Sequence, residues 1–199
     1  AQVGGHSYGE LTALHAAGAL STDAFLAASR ERGARMAEAA ATTEGTMAAA
    51  RGSAKSVTQI LGDAHPDVVL ANLNSPKQTV ISGPVSAVEA AVKALDEGGV
   101  MSVPLPVATA FHSPIVAGAS KPYGAFLAEL DVGAPTIPAW SNAEAAPYPM
   151  DAAAIRTGLA EQIACPVRFV EMIEGMYADG VRTFVEVGPG SVLAGLVKR

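Results

Sequence analysis

Residues 45–107 read GTMAAARGSAKSVTQILGDAHPDVVLANLNSPKQTVISGPVSAVEAAVKALDEGGVMSVPLPV, and short β-prone runs alternate there with helical spacing. Residues 46–50 give a first strand and residues 53–61 a helix. Residues 68–74 and 78–83 read as strands around the turn Ser75-Pro76-Lys77. Residues 85–97 bring Val88, Val92 and Leu95 onto one helical face. Gly98-Gly99 stops that helix, because glycine takes the left-handed backbone of a helix end without a Cβ penalty. Residues 100–107 give the last strand. The order β-α-β-β-α-β predicts a split βαβ, or ferredoxin-like, subdomain over 45–107.

Outward from this unit the alternation continues. No Pro occurs in the first 65 residues, so long helices there meet no breaker. A helix is expected over 7–19, entered through a tight turn, and another over 22–40. Ser21 or Thr22 can cap the second, whose Phe25, Leu26, Ser29, Gly33 and Met36 fall roughly on one face. Downstream come a loop at 108–113, a helix over 114–130, a short strand at 137–141 and a helix over 152–163. A further helix over 167–179 has Phe169, Met172, Ile173 and Met176 as its apolar face. A strand at 183–187 runs into Gly188-Pro189-Gly190. The expectation is an α/β main domain made of residues 1–44 and 108–199, interrupted by the smaller unit.

Composition bounds the rest. The 199 residues are 50% hydrophobic and 16% charged, with net charge −6. That suits one domain, or one with a subdomain, and supplies a sizeable core. The thirteen Lys and Arg are scattered, so no basic stripe exists to neutralise phosphates, and nucleic acid is not an expected partner. Apolar stretches break well before the ~20 residues of a membrane span, and no signal peptide is seen. Cys165 is the only cysteine, which excludes an internal disulfide or a multi-cysteine zinc site and fits a reducing, cytoplasmic setting. The opening Ala1-Gln2-Val3-Gly4-Gly5-His6-Ser7 reads as the middle of a fold. The N-terminal part of the main domain is therefore expected to be missing from this stretch.

Gly5-His6-Ser7-Tyr8-Gly9 is a G-x-S-x-G pentapeptide before an Ala- and Leu-rich helix. Its glycines permit a strained strand-to-helix turn that projects the serine hydroxyl, with the helix N-terminus behind it to favour an oxyanion. A serine nucleophile needs a base. Of the four histidines, His6 adjoins Ser7 and diverges from it, His15 lies two turns along the helix, and His65 sits in a surface loop. His112, in the loop after the last strand of the small unit, is the candidate base, since such loops carry reactive side chains. A loop histidine with a purely structural role is the competing reading.

Gly5-His6-Ser7-Tyr8-Gly9-Glu10, Ala110-Phe111-His112-Ser113-Pro114 and Glu186-Val187-Gly188-Pro189-Gly190 together resemble the malonyl-CoA:acyl-carrier-protein transacylase family, which includes the acyltransferase domains of fatty-acid and polyketide synthases. Arg32-Gly33, Asn72-Leu73-Asn74-Ser75-Pro76 and Gln162 before Cys165-Pro166-Val167 agree, in order, over essentially the whole chain. The wording of the elbow and around His112 is most similar to iterative or enediyne-type polyketide synthase acyltransferases.

The resemblance implies an α/β-hydrolase-like main domain with the inserted ferredoxin-like subdomain. It implies Ser7 as acylated nucleophile, His112 as general base and acid, and the Tyr8 backbone N–H as an oxyanion donor. The residue whose carbonyl holds the imidazole matches Gln162, which alone would read as a plain polar residue near a helix end. Arg32 matches the family's carboxylate-binding arginine, although from the residues alone Arg30 and Arg35 compete with it. Phe111 falls where extender-unit preference is partly set, and its bulk points to malonyl over methylmalonyl. The family's second oxyanion donor, in a Gly-Gln-Gly motif before the elbow, has no counterpart in this chain. The implied substrate is malonyl-CoA, a coenzyme A thioester, with no bound cofactor and no metal. The implied partners are an acyl carrier protein and neighbouring synthase domains. The rival readings are a serine esterase or thioesterase and a non-catalytic docking domain of a synthase.

Overall fold

In the computed structural model, which describes residues 1–199, the chain is a mixed α/β structure with a two-stranded and a four-stranded sheet. Strand β1 (Val3–Gly4) turns into α1 (Gly9–Ala16), and α2 (Thr22–Thr42) follows. The α2 N-terminus is set by Ser21, whose Oγ accepts the Ala24 N–H at 3.1 Å, the capping contact its sequence invites.

The chain then enters the region of the four-stranded sheet. Its elements are β2 (Thr46–Ala50), α3 (Ala54–Leu61), β3 (Val69–Ser75), β4 (Gln78–Gly83), α4 (Val85–Glu97) and β5 (Ser102–Pro104). The four strands form an antiparallel sheet in the order β3-β4-β2-β5. Val57 and Leu61 of α3 and Val88 and Leu95 of α4 pack with Ile81 of β4 into one buried cluster. Burial of each such side chain contributes about 1.5–3 kcal/mol. At the end of α4, Gly99 takes φ +81° and the Val100 N–H donates back to the Leu95 carbonyl at 2.8 Å, so the glycine pair stops the helix as expected.

The return segment supplies α5 (Ser120–Ala128), β6 (Ala139–Trp140), α6 (Ala152–Gln162), α7 (Phe169–Ala178) and α8 (Val192–Val197). Strand β6 pairs in parallel with β1, Val3 opposite Ala139. Leu11 and Leu14 of α1, Tyr123 and Leu127 of α5, and Ile155 and Leu159 of α6 share the largest buried cluster. Val167, just before α7, joins β3: its N–H donates to the Ala71 carbonyl at 2.8 Å and its carbonyl accepts the Leu73 N–H at 2.9 Å. No helix is long and apolar enough to cross a membrane.

Four elements differ from expectation. Residues 183–187 form no strand: Val185 and Val187 are 78% and 94% exposed, and no neighbouring backbone pairs with them. A lone extended run has no ladder to satisfy its amides. Instead the Glu186 carboxylate accepts the Leu193 and Ala194 N–H groups at 3.1 and 2.8 Å, capping α8. The strand expected over 100–107 shortens to β5, because Pro104 and Pro106 lack ladder donors. The helix expected over 114–130 opens as a 3₁₀ turn (Pro114–Ala119) before becoming α5. The strand at 137–141 contracts to two residues.

Candidate active site

The G-x-S-x-G stretch folds as a tight turn between β1 and α1. A Cβ on Gly5 would lie 1.9 Å from the Gly9 carbonyl, so only glycine fits the first position; at Gly9 itself the space is open. Ser7 sits at φ +52°, the left-handed region that non-glycine residues resist. Its backbone is fixed on both sides. The Ser7 N–H donates to Asn142 Oδ1 at 2.6 Å, and its carbonyl accepts the Gln162 side-chain N–H at 3.0 Å and the Glu10 N–H at 3.1 Å. The Tyr8 N–H donates to no protein acceptor and stays available at the positive end of α1.

His112 comes from the loop after β5, 3% exposed, and is likewise left-handed at φ +56°. Ser82 Oγ donates to the Phe111 carbonyl at 2.8 Å, and Ser113 Oγ donates to the Ala110 carbonyl at 2.6 Å, which ties that loop down. His112 Nε2 lies 2.7 Å from Ser7 Oγ. Its Nδ1 donates toward two backbone carbonyls, Cys165 at 2.9 Å and Gln162 at 3.2 Å. Those acceptors assign the proton to Nδ1 and leave Nε2 free to accept the serine proton. Burial pushes the His112 pKa down to about 4, helped by the positive Arg32 and opposed by the two carbonyls. The imidazole is thus a neutral base at pH 7.

Ser7, His112, Arg32 and Phe111 line one pocket of about 360 Å³, with His6, Gly33, Met36, Met47, Asn72 and Leu105. The structure separates the three arginines of α2. Arg30 is exposed, and Arg35 is engaged by Glu31 and Glu38 at 2.8 and 2.6 Å. Arg32 has no carboxylate partner; its side-chain hydrogen bond is a long one, 3.4 Å, to Gln162 Oε1, and it lies over the Tyr8 ring at 5.9 Å. A guanidinium with no carboxylate in ion-pair contact can receive an acidic ligand. A larger open groove of about 630 Å³, beside α5 and α6, is lined by none of these groups.

The expected residues Ser7, Tyr8, Arg32, Phe111, His112 and Gln162 therefore meet around one site. Gln162 does more than its carbonyl suggested: its side chain also bridges Arg32 and the Ser7 carbonyl. His6 lines the pocket but pairs with Asn74 Oδ1 at 2.7 Å, and His15 stacks on Phe25. The sequence reading missed Asn142, Tyr148 and the Cys165 carbonyl. Glu10, within the elbow motif, carries its own signal: a charged residue beside Leu11 and Leu14 on a buried helix face marks a partnered polar group. No three His, Cys, Asp or Glu side chains converge to hold a metal ion.

The family described as the acyl transferase domain matches residues 1–199. The malonyl CoA-acyl carrier protein transacylase of Bacillus subtilis is 42% identical over 200 residues, covering 98% of this chain and 63% of that protein. The solved acyl-carrier-protein S-malonyltransferase of Burkholderia pseudomallei is 40% identical with a TM-score of 0.94, over 99% of this chain and 65% of that one. The acyltransferase domain of an iterative polyketide synthase in enediyne biosynthesis is 30% identical with a TM-score of 0.88, over 99% and 51%. The chain spans less than two thirds of the length of each of these three.

Proposed function

The chain belongs to the acyl transferase domain family, and on that premise we propose that it moves a malonyl group from malonyl-CoA, through an ester on Ser7, to the phosphopantetheine thiol of an acyl carrier protein. The observation that carries this reading is the 2.7 Å contact between Ser7 Oγ and His112 Nε2, in one pocket with a guanidinium that lacks a carboxylate partner.

His112 takes the Ser7 proton as the oxygen attacks the thioester carbonyl. The Tyr8 N–H, without a protein acceptor at the start of α1, donates to the oxyanion. Collapse of the intermediate expels the coenzyme A sulfur, which receives the proton from His112, and leaves malonyl-Ser7. The carrier thiol then gives its proton to His112 and attacks the ester. Its thioester forms as the Ser7 oxygen regains a proton. The Gln162 and Cys165 carbonyls steady the imidazole, Arg32 holds the malonyl carboxylate, and Phe111 narrows the space around the α-carbon. No bound cofactor or metal is invoked. The carrier, coenzyme A and neighbouring synthase domains are the partners of this reading, in polyketide or fatty-acid synthesis in the cytoplasm.

We also read residues 1–44 and 108–199 as an α/β-hydrolase-like domain and residues 45–107 as a ferredoxin-like insertion. The sheet order β3-β4-β2-β5 supports the second. An esterase reading would set a carboxylate against His112 Nδ1, where two carbonyls lie instead.

The test is intact mass after mixing with malonyl-CoA. A malonyl adduct is expected on the wild type, absent from Ser7→Ala, and discharged by carrier protein faster than by water. An adduct that survives Ser7→Ala, or discharge to water alone, refutes the reading.

A further inference from the structure

The side chain of Asn142, fully buried just past β6, spans the elbow. Its Oδ1 accepts the Ser7 N–H at 2.6 Å, and its Nδ2 donates to the Gly5 carbonyl at 2.6 Å, with Met172 Sδ 3.6 Å from the same nitrogen. One planar amide thus ties the backbone on both sides of His6. Asn142 is itself held. Its own N–H donates to Glu10 Oε2 at 2.9 Å, its carbonyl accepts the Arg168 N–H at 3.0 Å, and the other Glu10 oxygen accepts the Tyr148 hydroxyl. Glu10 is 1% exposed and Tyr148 7%. A buried carboxylate that accepts from both a backbone amide and a phenol fixes its neighbours firmly.

This matters because Ser7 occupies a backbone conformation that its own side chain disfavours. Such a residue stays put only where its surroundings over-determine it. Relaxation of φ would swing Oγ away from His112 Nε2. We propose that Asn142 is a positioning residue for the nucleophile: its amide locks the left-handed Ser7 backbone, and the Glu10–Tyr148 pair braces that amide from behind. The inference rests on the reading of Ser7 as the acylated residue. It adds to that reading the means by which the hydroxyl is kept in line. Asn142 touches no substrate in this scheme, since it does not line the pocket that holds Ser7 and Arg32.

The experiment is single-turnover acylation of the intact protein by malonyl-CoA, wild type against Asn142→Ala. The acylation rate constant at saturation is expected to fall roughly 10- to 100-fold, the loss that a misplacement of about 1 Å brings. The half-saturating concentration should stay within about twofold, because Arg32 and Phe111 are untouched. A rate within about threefold of wild type overturns the proposal. So does a loss that appears only as weaker half-saturation, which would mean a collapsed pocket rather than a misaimed hydroxyl. Should Asn142→Ala not fold, amide hydrogen exchange of the wild type decides. The Ser7 N–H is expected to be protected, and exchange at the rate of an open loop overturns the clamp. If wild-type Ser7 takes no malonyl label at all, the nucleophile reading fails. If it is labelled and indifferent to Asn142, the clamp alone fails.

Discussion

Replacing Arg32 separates a carboxylate clamp from a merely structural cation. The guanidinium lies half-buried in the Ser7–His112 pocket, without an acidic partner, and its contact with Gln162 Oε1 is long at 3.4 Å. Little of its hydrogen-bonding capacity is therefore committed within the protein. A malonyl carboxylate can take two of its N–H groups in parallel, and removing one partner of such a desolvated pair costs about 2–5 kcal/mol. The pocket opens to solvent, which places Arg32→Ala near the lower end, about 2–3 kcal/mol, or roughly 30- to 150-fold in kcat/KM. Acetyl-CoA carries no carboxylate, so its kcat/KM should move by less than about threefold. The assay is steady-state transfer to carrier protein with each donor, and the readout is the malonyl-to-acetyl ratio. Arg32→Lys, which keeps the charge but loses the planar fork, should fall between the two. Because the positive Arg32 helps depress the His112 pKa, the acid limb of either donor's profile should also move to higher pH in Arg32→Ala. Equal losses with both donors would refute the clamp.

Three other outcomes are expected. The kcat/KM of the wild type should rise with a single ionisation near pH 4 and then stay level through neutrality, since burial holds the His112 pKa at about 4 and the base form exists above it; a midpoint near 6.5 would contradict the buried, neutral imidazole. Burial raises Glu10 from 4.5 to about 7, so its stabilising contribution is complete below 4.5 and is lost as pH rises through about 7. Glu10→Gln should remove that dependence, a difference of up to about 3 kcal/mol between the pH 4.5 and pH 8 unfolding free energies, measured by urea denaturation; parallel curves for the two proteins would refute it. Phe111→Ala should raise the methylmalonyl-to-malonyl ratio of Ser7 labelling severalfold, by opening space beside the α-carbon; an unchanged ratio would remove Phe111 from selectivity.

What the sequence exposed is what local physics governs. The Ser21 cap, the Gly98-Gly99 stop and the order of elements over 45–107 depend on residues a few positions apart, and each forms, although the last strand is shorter than read. The elbow could be located because the close approach of Gly5 to the Gly9 backbone demands a residue without Cβ. The pairing of Ser7 with His112, 105 positions away, does not follow from spacing; elimination among the four histidines points to it, with a structural loop histidine as the competing reading, and resemblance to a family strengthens it. The extended run at 183–187 misled because strand formation is a property of partners, and periodicity is silent about them. Asn142 and Tyr148 stayed hidden for a related reason. They lie in irregular segments 132 and 138 positions from Glu10, where no period marks a buried polar side chain. The Cys165 carbonyl is a backbone atom, which any residue could have supplied.

The two left-handed backbones at Ser7 and His112 set a direction for sequence change. At either position glycine would suit the conformation better, so exchanges that ease the local geometry are those that delete the hydroxyl or the imidazole. On the proposed roles of Ser7 and His112, drift toward a sturdier fold therefore runs downhill into inertness. A lineage would keep that proposed pair only under continuous selection, and a decayed copy should hold its shape long after its chemistry has gone.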